Sequence, residues 1–142
     1  MIEMKIESSA FQNNQNIPAK YTCDGENINP PLKISGVPEN AKSLALVVDD
    51  PDATRGITWV HWILLNIDPA IGEIAENSLP EKTKELVTSF GKPGYGGPCP
   101  PKGSKPHRYF FKLYALYDKI NSVEEIDKHT IEKAELVGFY SR

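Results

Sequence analysis

Apolar positions along the chain recur mostly with a period of two. Ile2, Met4 and Ile6 alternate with Glu3, Lys5 and Glu7, a spacing that predicts a half-buried strand. Leu44 to Val48 (LALVV) is an unbroken apolar run, which predicts a strand covered on both faces. The stretches from Ile57 to Ile67 (ITWVHWILLNI) and from Arg108 to Tyr117 (RYFFKLYALY) are rich in β-branched and aromatic residues and read as long strands. Glu85 to Phe90 and Ala134 to Tyr140 are weaker strand candidates. Turn signals separate these runs: NINPP, SGVPEN, DDPD and KPGYGG. A helix is expected after Asn121, where Ser122 and Glu125 fit a capping box and Val123 and Ile126 share a face. Many short strands with Pro- and Gly-rich turns argue for a mostly β protein, an antiparallel β-sandwich with one or two short helices. The 142 residues fit one domain, residues 1–142, and show no internal repeat.

Composition narrows the function classes. A net charge of −3 with 25% charged and 39% hydrophobic residues describes a soluble protein with no basic face, so nucleic acid is not an expected partner. No run approaches the roughly 18 apolar residues of a membrane span. The alternating N-terminus does not read as a signal peptide, and a cytoplasmic location is expected. Two cysteines, Cys23 and Cys99, make no secreted disulfide framework.

Three places carry candidate chemistry. In VVDDPDATRG a buried strand delivers Asp49, Asp50 and Asp52 to its end around Pro51, which holds Asp50 in extended geometry. Closely spaced carboxylates need donor partners, and an Asx-stabilised turn is the alternative reading. His61, within WVHWI, shares strand parity with Trp59 and Ile63 and is either a core histidine or a ligand contact. His107 and Tyr109 fall on one side of the last long strand, with Arg108 and Lys112 on the other. They follow GYGGPCPPKGSKP, too rich in Pro and Gly for a plain connector and readable as a rigid rim. Imidazoles and a phenol bind anionic oxygen, and carboxylates orient the imidazoles or hold an amine. A nucleotide loop is disfavoured, because the order is Lys-Gly-Ser and Pro98, Pro100 and Pro101 lack N–H groups. No Gly-x-Ser-x-Gly elbow is present. Neither a Cys99 nucleophile nor a zinc site from Cys23, Cys99, His61 and His107 has supporting local spacing. No metal or cofactor is expected.

At these residues the sequence resembles the phosphatidylethanolamine-binding protein family, also called Raf-kinase-inhibitor-like, and its compact bacterial and archaeal branch. The matching blocks run in family order: YTCDGENINPPL, SGVPENAKSLALVVDDPDA, WVHWILLNI, GKPGYGGPCPPKGSKPHRYFFKLYAL and AELVGFY. The resemblance implies a β-sandwich with a small anion pocket for phosphate-like or carboxylate-like groups. By motif, its ligand-binding residues are Asp50, Asp52, Trp59, His61, Gly97, Pro101, His107 and Tyr109, with no catalytic residue. It implies a non-enzymatic binding and regulatory protein whose partners are small anions or acidic and phosphorylated segments, with a protease or a kinase as further partners and a homodimer as the assembly. A serine protease inhibitor and a phosphoester hydrolase using His61, His107 and Asp50 are the alternatives. Two departures bear on this. Thr54 stands where the family usually has a second proline, so that turn is expected to differ. Mammalian members carry a C-terminal helix beside the pocket, whereas this chain ends at Arg142, so a more open pocket is expected and mammalian-style kinase or lipid binding does not transfer directly. The resemblance also brings the Cys23 and Cys99 loops toward one end of the fold. Thiols are the favoured state, with a disulfide as the alternative a hyperthermophile would use.

Overall fold

The computed structural model describes residues 2–53 and 56–142, so the Thr54 departure lies outside the described residues. Two sheets form the sandwich. The smaller has three strands in the order β1 (Lys5–Glu7), β3 (Leu32–Ser35), β6 (Glu73–Ile74). The larger has six, in the order β2 (Gln15–Asn16), β9 (Thr130–Tyr140), β8 (His107–Leu116), β4 (Ser43–Asp50), β5 (Trp59–Ile67), β7 (Lys84–Glu85). All pairings are antiparallel except β2 with β9, which run parallel.

The central position of β4 explains its apolar run. All eight of its residues are buried. Leu44, Leu46 and Val48 join the main core with Ile6, Leu32, Ile34, Phe111 and Leu113 between the sheets. Ala45 and Val47 join a second cluster on the outer face with Ile63, Leu65, Leu116, Ile120 and Ile126. Covering that outer face is the task of the segment after Asn121. It folds as a 3-10 turn (Val123–Glu125) continued by a one-turn helix, α1 (Ile126–His129). The Glu125 carboxylate accepts hydrogen bonds from the N–H groups of Asn121 and Ser122 and from the Ser122 hydroxyl, all at 2.9–3.0 Å. These bonds hold its carboxyl below the usual carboxylate range, the Asn121 N–H contributing most.

Two expectations need correction. The expected strand from Glu85 to Phe90 is regular only at its start, Lys84–Glu85; beyond it the Leu86 and Ser89 N–H groups still donate to the Ile63 and Val60 carbonyls at 3.1 Å, and Val87 makes an isolated bridge to Pro93. Thr88 diverts the rest: its N–H and hydroxyl both donate to the Lys92 carbonyl at 3.1 Å, closing a turn with Phe90 near its tip. The cysteines are not thiols. Cys23 and Cys99 are joined, with Cα atoms 5.4 Å apart, within the reach a disulfide requires. The physical reason is the docking of their loops: the Cys23 N–H donates to the Pro98 carbonyl at 3.1 Å, and the Gly97 N–H to Asn27 Oδ1 at 2.8 Å.

Candidate functional site

The ends of β4, β5 and β8 meet where the aspartates leave the sheet. Asp50 is 3% exposed. Its Oδ1 accepts the Asp52 N–H at 2.8 Å, the Asx bond that shapes the turn around Pro51. Its Oδ2 accepts His107 Nδ1–H at 2.7 Å across the sheet. One buried carboxylate therefore serves both of the readings the sequence left open, turn former and imidazole anchor. Tyr109, next along the same face, stacks on His107 with ring centroids 6.4 Å apart. Burial pushes its hydroxyl far up, and the Asp50 charge pushes the same way.

His61 reaches this group through an irregularity in β5. Val48 pairs with Trp62 and Asp49 with Val60, which leaves His61 as an extra, unpaired residue. Such a bulge re-aims side chains. The expectation that His61 shares a face with Ile63 therefore fails: Ile63 packs in the outer cluster, whereas His61 packs edge-on against Tyr109 and Phe90, each at 5.3 Å. His61 Nδ1–H donates to the Gly96 carbonyl at 2.6 Å. Burial lowers its pKa, so it is neutral at neutral pH.

These side chains line a cavity of about 400 Å³. Asp50, Trp59, His61, His107 and Tyr109 form part of its wall, and Cys99, Pro100 and Pro101 supply the rim. Ala53, Ile57 and Phe90 complete the lining. Each imidazole is tied through Nδ1, and among the described residues nothing bonds either Nε2. Six of the eight motif-derived residues thus come together. Asp52 and Gly97 do not line the cavity. Asp52 instead accepts the Arg108 N–H, Nε and Nη2, each at 2.9 Å, sewing the turn to the start of β8. The Arg108 side chain is the main reason its carboxyl sits below the usual range. On the opposite face of β4, Asp49 takes Lys112 Nζ at 2.9 Å.

Gly97 shapes the site from behind the rim. A Cβ there would lie 2.2 Å from the Tyr21 carbonyl oxygen, a contact no side chain can occupy. Gly97→Ala is expected to displace the rim and lower unfolding free energy by about 1–3 kcal/mol, as overpacking does. Urea unfolding checks it; a midpoint equal to wild type would refute the tight approach.

Ala53, Ile57, Phe90, Cys99 and Pro100 belong to the lining and are not among the motif-derived site residues. Phe90 looked like a strand end, and only its place near the tip of the Thr88 turn brings it against His61 and Trp59, the latter at 5.5 Å. Pro100 lay within the rim motif and Ile57 beside the Trp-x-His strand, so proximity to those motifs was the available signal.

A β-sandwich with a preformed cavity at the end of its larger sheet has the build of a binding protein. Comparison with known proteins makes the assignment. The phosphatidylethanolamine-binding protein family model matches residues 7–141, and the chain belongs to that family. A UPF0098 protein of Pyrococcus abyssi is 47% identical over 99% of this chain and 86% of its own length. The crystal structure of CT736 from Chlamydia trachomatis, a homologue in the family, superposes with a TM-score of 0.92 at 37% identity, covering 100% of this chain and 99% of that one. Escherichia coli YbcL, described as a member of the mammalian family, gives 0.93 at 31% identity with 99% of both chains covered. The family fold supports a ligand-binding or regulatory role. Among the described residues no helix is long and apolar enough to cross a membrane.

Proposed function

We propose that this chain is a non-enzymatic binding protein whose cavity takes a small anionic group, a phosphate or a carboxylate, free or carried on a partner segment. One observation carries the reading: both imidazoles are anchored through Nδ1, His107 on Asp50 and His61 on Gly96, within the wall of one cavity. Protonated at Nε2, each ring donates to an anionic oxygen, and the anchors hold that donor in place without further loss of side-chain freedom. Neutral, each ring offers a lone pair at Nε2 and repels the same oxygen. Binding therefore takes up protons and strengthens as pH falls.

The described lining holds no serine or threonine hydroxyl, and its one sulfur is in a disulfide. This favours binding over nucleophilic hydrolysis. The Asp50–His107 pair is also the arrangement that would orient a general base, so phosphoester turnover is the reading to test beside it. A protease inhibitor built on the Pro-rich rim is separated by an inhibition assay on purified serine proteases.

Sulfate is the informative probe, because its charge stays constant across the histidine range. Titration followed by NMR is expected to weaken by roughly tenfold or more as pH rises from the acid side toward the ordinary histidine range, about 6.5, because the His61 pKa lies below it. His61→Ala and His107→Ala should each weaken it further at the acid end while keeping the wild-type spectrum elsewhere. Two variants that bind like wild type would sink the assignment, and phosphoester turnover lost in both would replace it with the hydrolase.

The sign for the free protein is opposite. His61 has a lowered folded pKa, so the unfolded chain binds its proton first. Its contribution to stability is complete above the ordinary histidine pKa, about 6.5, and is lost as pH falls through the lowered value. Ligand binding and folding thus pull the same proton in opposite directions.

A further inference from the structure

The Cys23–Cys99 disulfide does more than close a loop. Cys99 is solvent-exposed, and it also forms part of the cavity wall. Its flanking prolines, Pro98 and Pro100, are buried, so Cys99 stands out from a rigid rim. Arg142 Nη1 lies 3.5 Å from Cys99 Sγ, while Arg142 Nη2 pairs with Asp24 Oδ1 at 3.2 Å. An exposed disulfide sulfur beside a guanidinium is a favourable leaving group, because the cation stabilises the departing thiolate.

We propose that this disulfide is a thiol–disulfide exchange site, and that the dithiol poise around the protein sets the affinity of the cavity for its anion. The inference rests on the anion reading of the cavity.

The chemistry closes with one named co-reactant, a dithiol. Its thiolate attacks Cys23 Sγ, the sulfur–sulfur bond breaks, and Cys99 leaves as a thiolate beside Arg142. The second thiol of the reagent then displaces Cys23 from the mixed disulfide. The dithiol ends as a disulfide, having given two electrons and two protons to the protein, whose cysteines end as two thiols. Reoxidation is the reverse.

Reduction changes the cavity in two ways. The segment from Cys99 to Pro106, which leads into His107, loses its covalent tie. Upstream of it the Tyr95 hydroxyl still donates to the Tyr21 carbonyl at 2.8 Å and Gly97 still bonds Asn27. Within it the Gly103 N–H to Arg142 carbonyl bond, 3.0 Å, and the Arg142 Nη1 contact to Cys99 Sγ, 3.5 Å, are the hydrogen bonds that hold it to another part of the chain among the described residues. The second change is in the wall itself: a Cys99 thiol, free to turn, replaces the fixed disulfide beside the anion. Both changes remove preorganisation and act in the same direction.

The test compares sulfate titrations of oxidised protein, of protein reduced with dithiothreitol and freed of reagent, of reoxidised protein, and of the Cys23→Ser/Cys99→Ser double variant. Reduction is expected to weaken binding roughly tenfold, the scale of a wall that must be ordered again when the anion binds. Reoxidation should restore it, and the double variant, loosened in the same way, should bind like the reduced protein. Amide exchange should quicken at residues 99–107 with the strands still protected. Equal affinity in the oxidised and reduced forms would overturn the proposal, as would a disulfide that resists dithiothreitol in the folded protein, or unfolding on reduction. Absence of sulfate binding in the oxidised form would instead remove the anion reading, while faster exchange confined to residues 99–107 would leave the exchange site standing.

Discussion

Cys23→Ser and Cys99→Ser are each expected to lower the unfolding free energy by about 4 kcal/mol. The bond joins residues 76 apart in sequence, so it removes a large loop-closure entropy from the unfolded chain. For a chain of this length the loss corresponds to a drop in Tm of roughly 10–15 °C. The native contacts at the two loops survive in either variant, because they are made by backbone groups and by Asn27, not by the sulfurs. The effect therefore belongs mainly to the unfolded state. Differential scanning calorimetry of oxidised wild type, reduced wild type and the two variants checks this. The last three should unfold within a few degrees of one another and well below the first. Variants that melt with oxidised wild type would show that the loop is already constrained in the unfolded chain.

The outcome at these cysteines shows what a sequence can carry and what it leaves out. The strands were legible because burial has a period. β4 reads as an apolar run, since both its faces are covered, and β8 alternates, since Arg108 and Lys112 pair with Asp52 and Asp49 rather than entering the core. The turn chemistry was legible as well: Asp50 before Pro51 reads as an Asx turn, and it is one. The disulfide was not legible, because pairing depends on loops that meet through a Cys23–Pro98 backbone bond. No local pattern encodes that bond. His61 was half legible. Parity assigns it to the face of Ile63, and the bulge at His61 between the Val48–Trp62 and Asp49–Val60 pairs reverses the assignment. A bulge leaves no signature in the alternation until the partner strand is known. Phe90 escaped for a related reason: the regular strand stops at Glu85, and the turn that Thr88 closes on the Lys92 carbonyl carries Phe90 toward His61. The site is thus assembled from regular elements that the pattern shows and from two local irregularities that it does not.

Asp50→Ala and Asp50→Asn should separate the two duties of the buried carboxylate. In the alanine variant the Asp52 N–H and His107 Nδ1–H lose their acceptor together. Both lie where water has little access, so the expected cost is about 3 kcal/mol in unfolding free energy. Asparagine preserves the volume and can still accept the Asp52 N–H, so it should cost less. Its amide then faces His107 with a donor in place of an acceptor. The ring answers by carrying its proton on Nε2 and accepting at Nδ1, the other neutral tautomer. That exchange has a consequence no merely structural role predicts. In wild type the Asp50 carboxylate holds a proton on His107 Nδ1, so the neutral form of the ring turns a lone pair at Nε2 toward the anion. In Asp50→Asn a neutral His107 presents an N–H, so sulfate binding should be weaker at acid pH, by roughly tenfold for the lost charge-assisted geometry, but should decline less steeply toward neutrality. Sulfate titrations at several pH values, with ring nitrogen chemical shifts read on the same samples, measure both halves. A variant whose binding falls with pH as steeply as wild type, with Nδ1 still protonated, would show that Asp50 does not set the His107 tautomer.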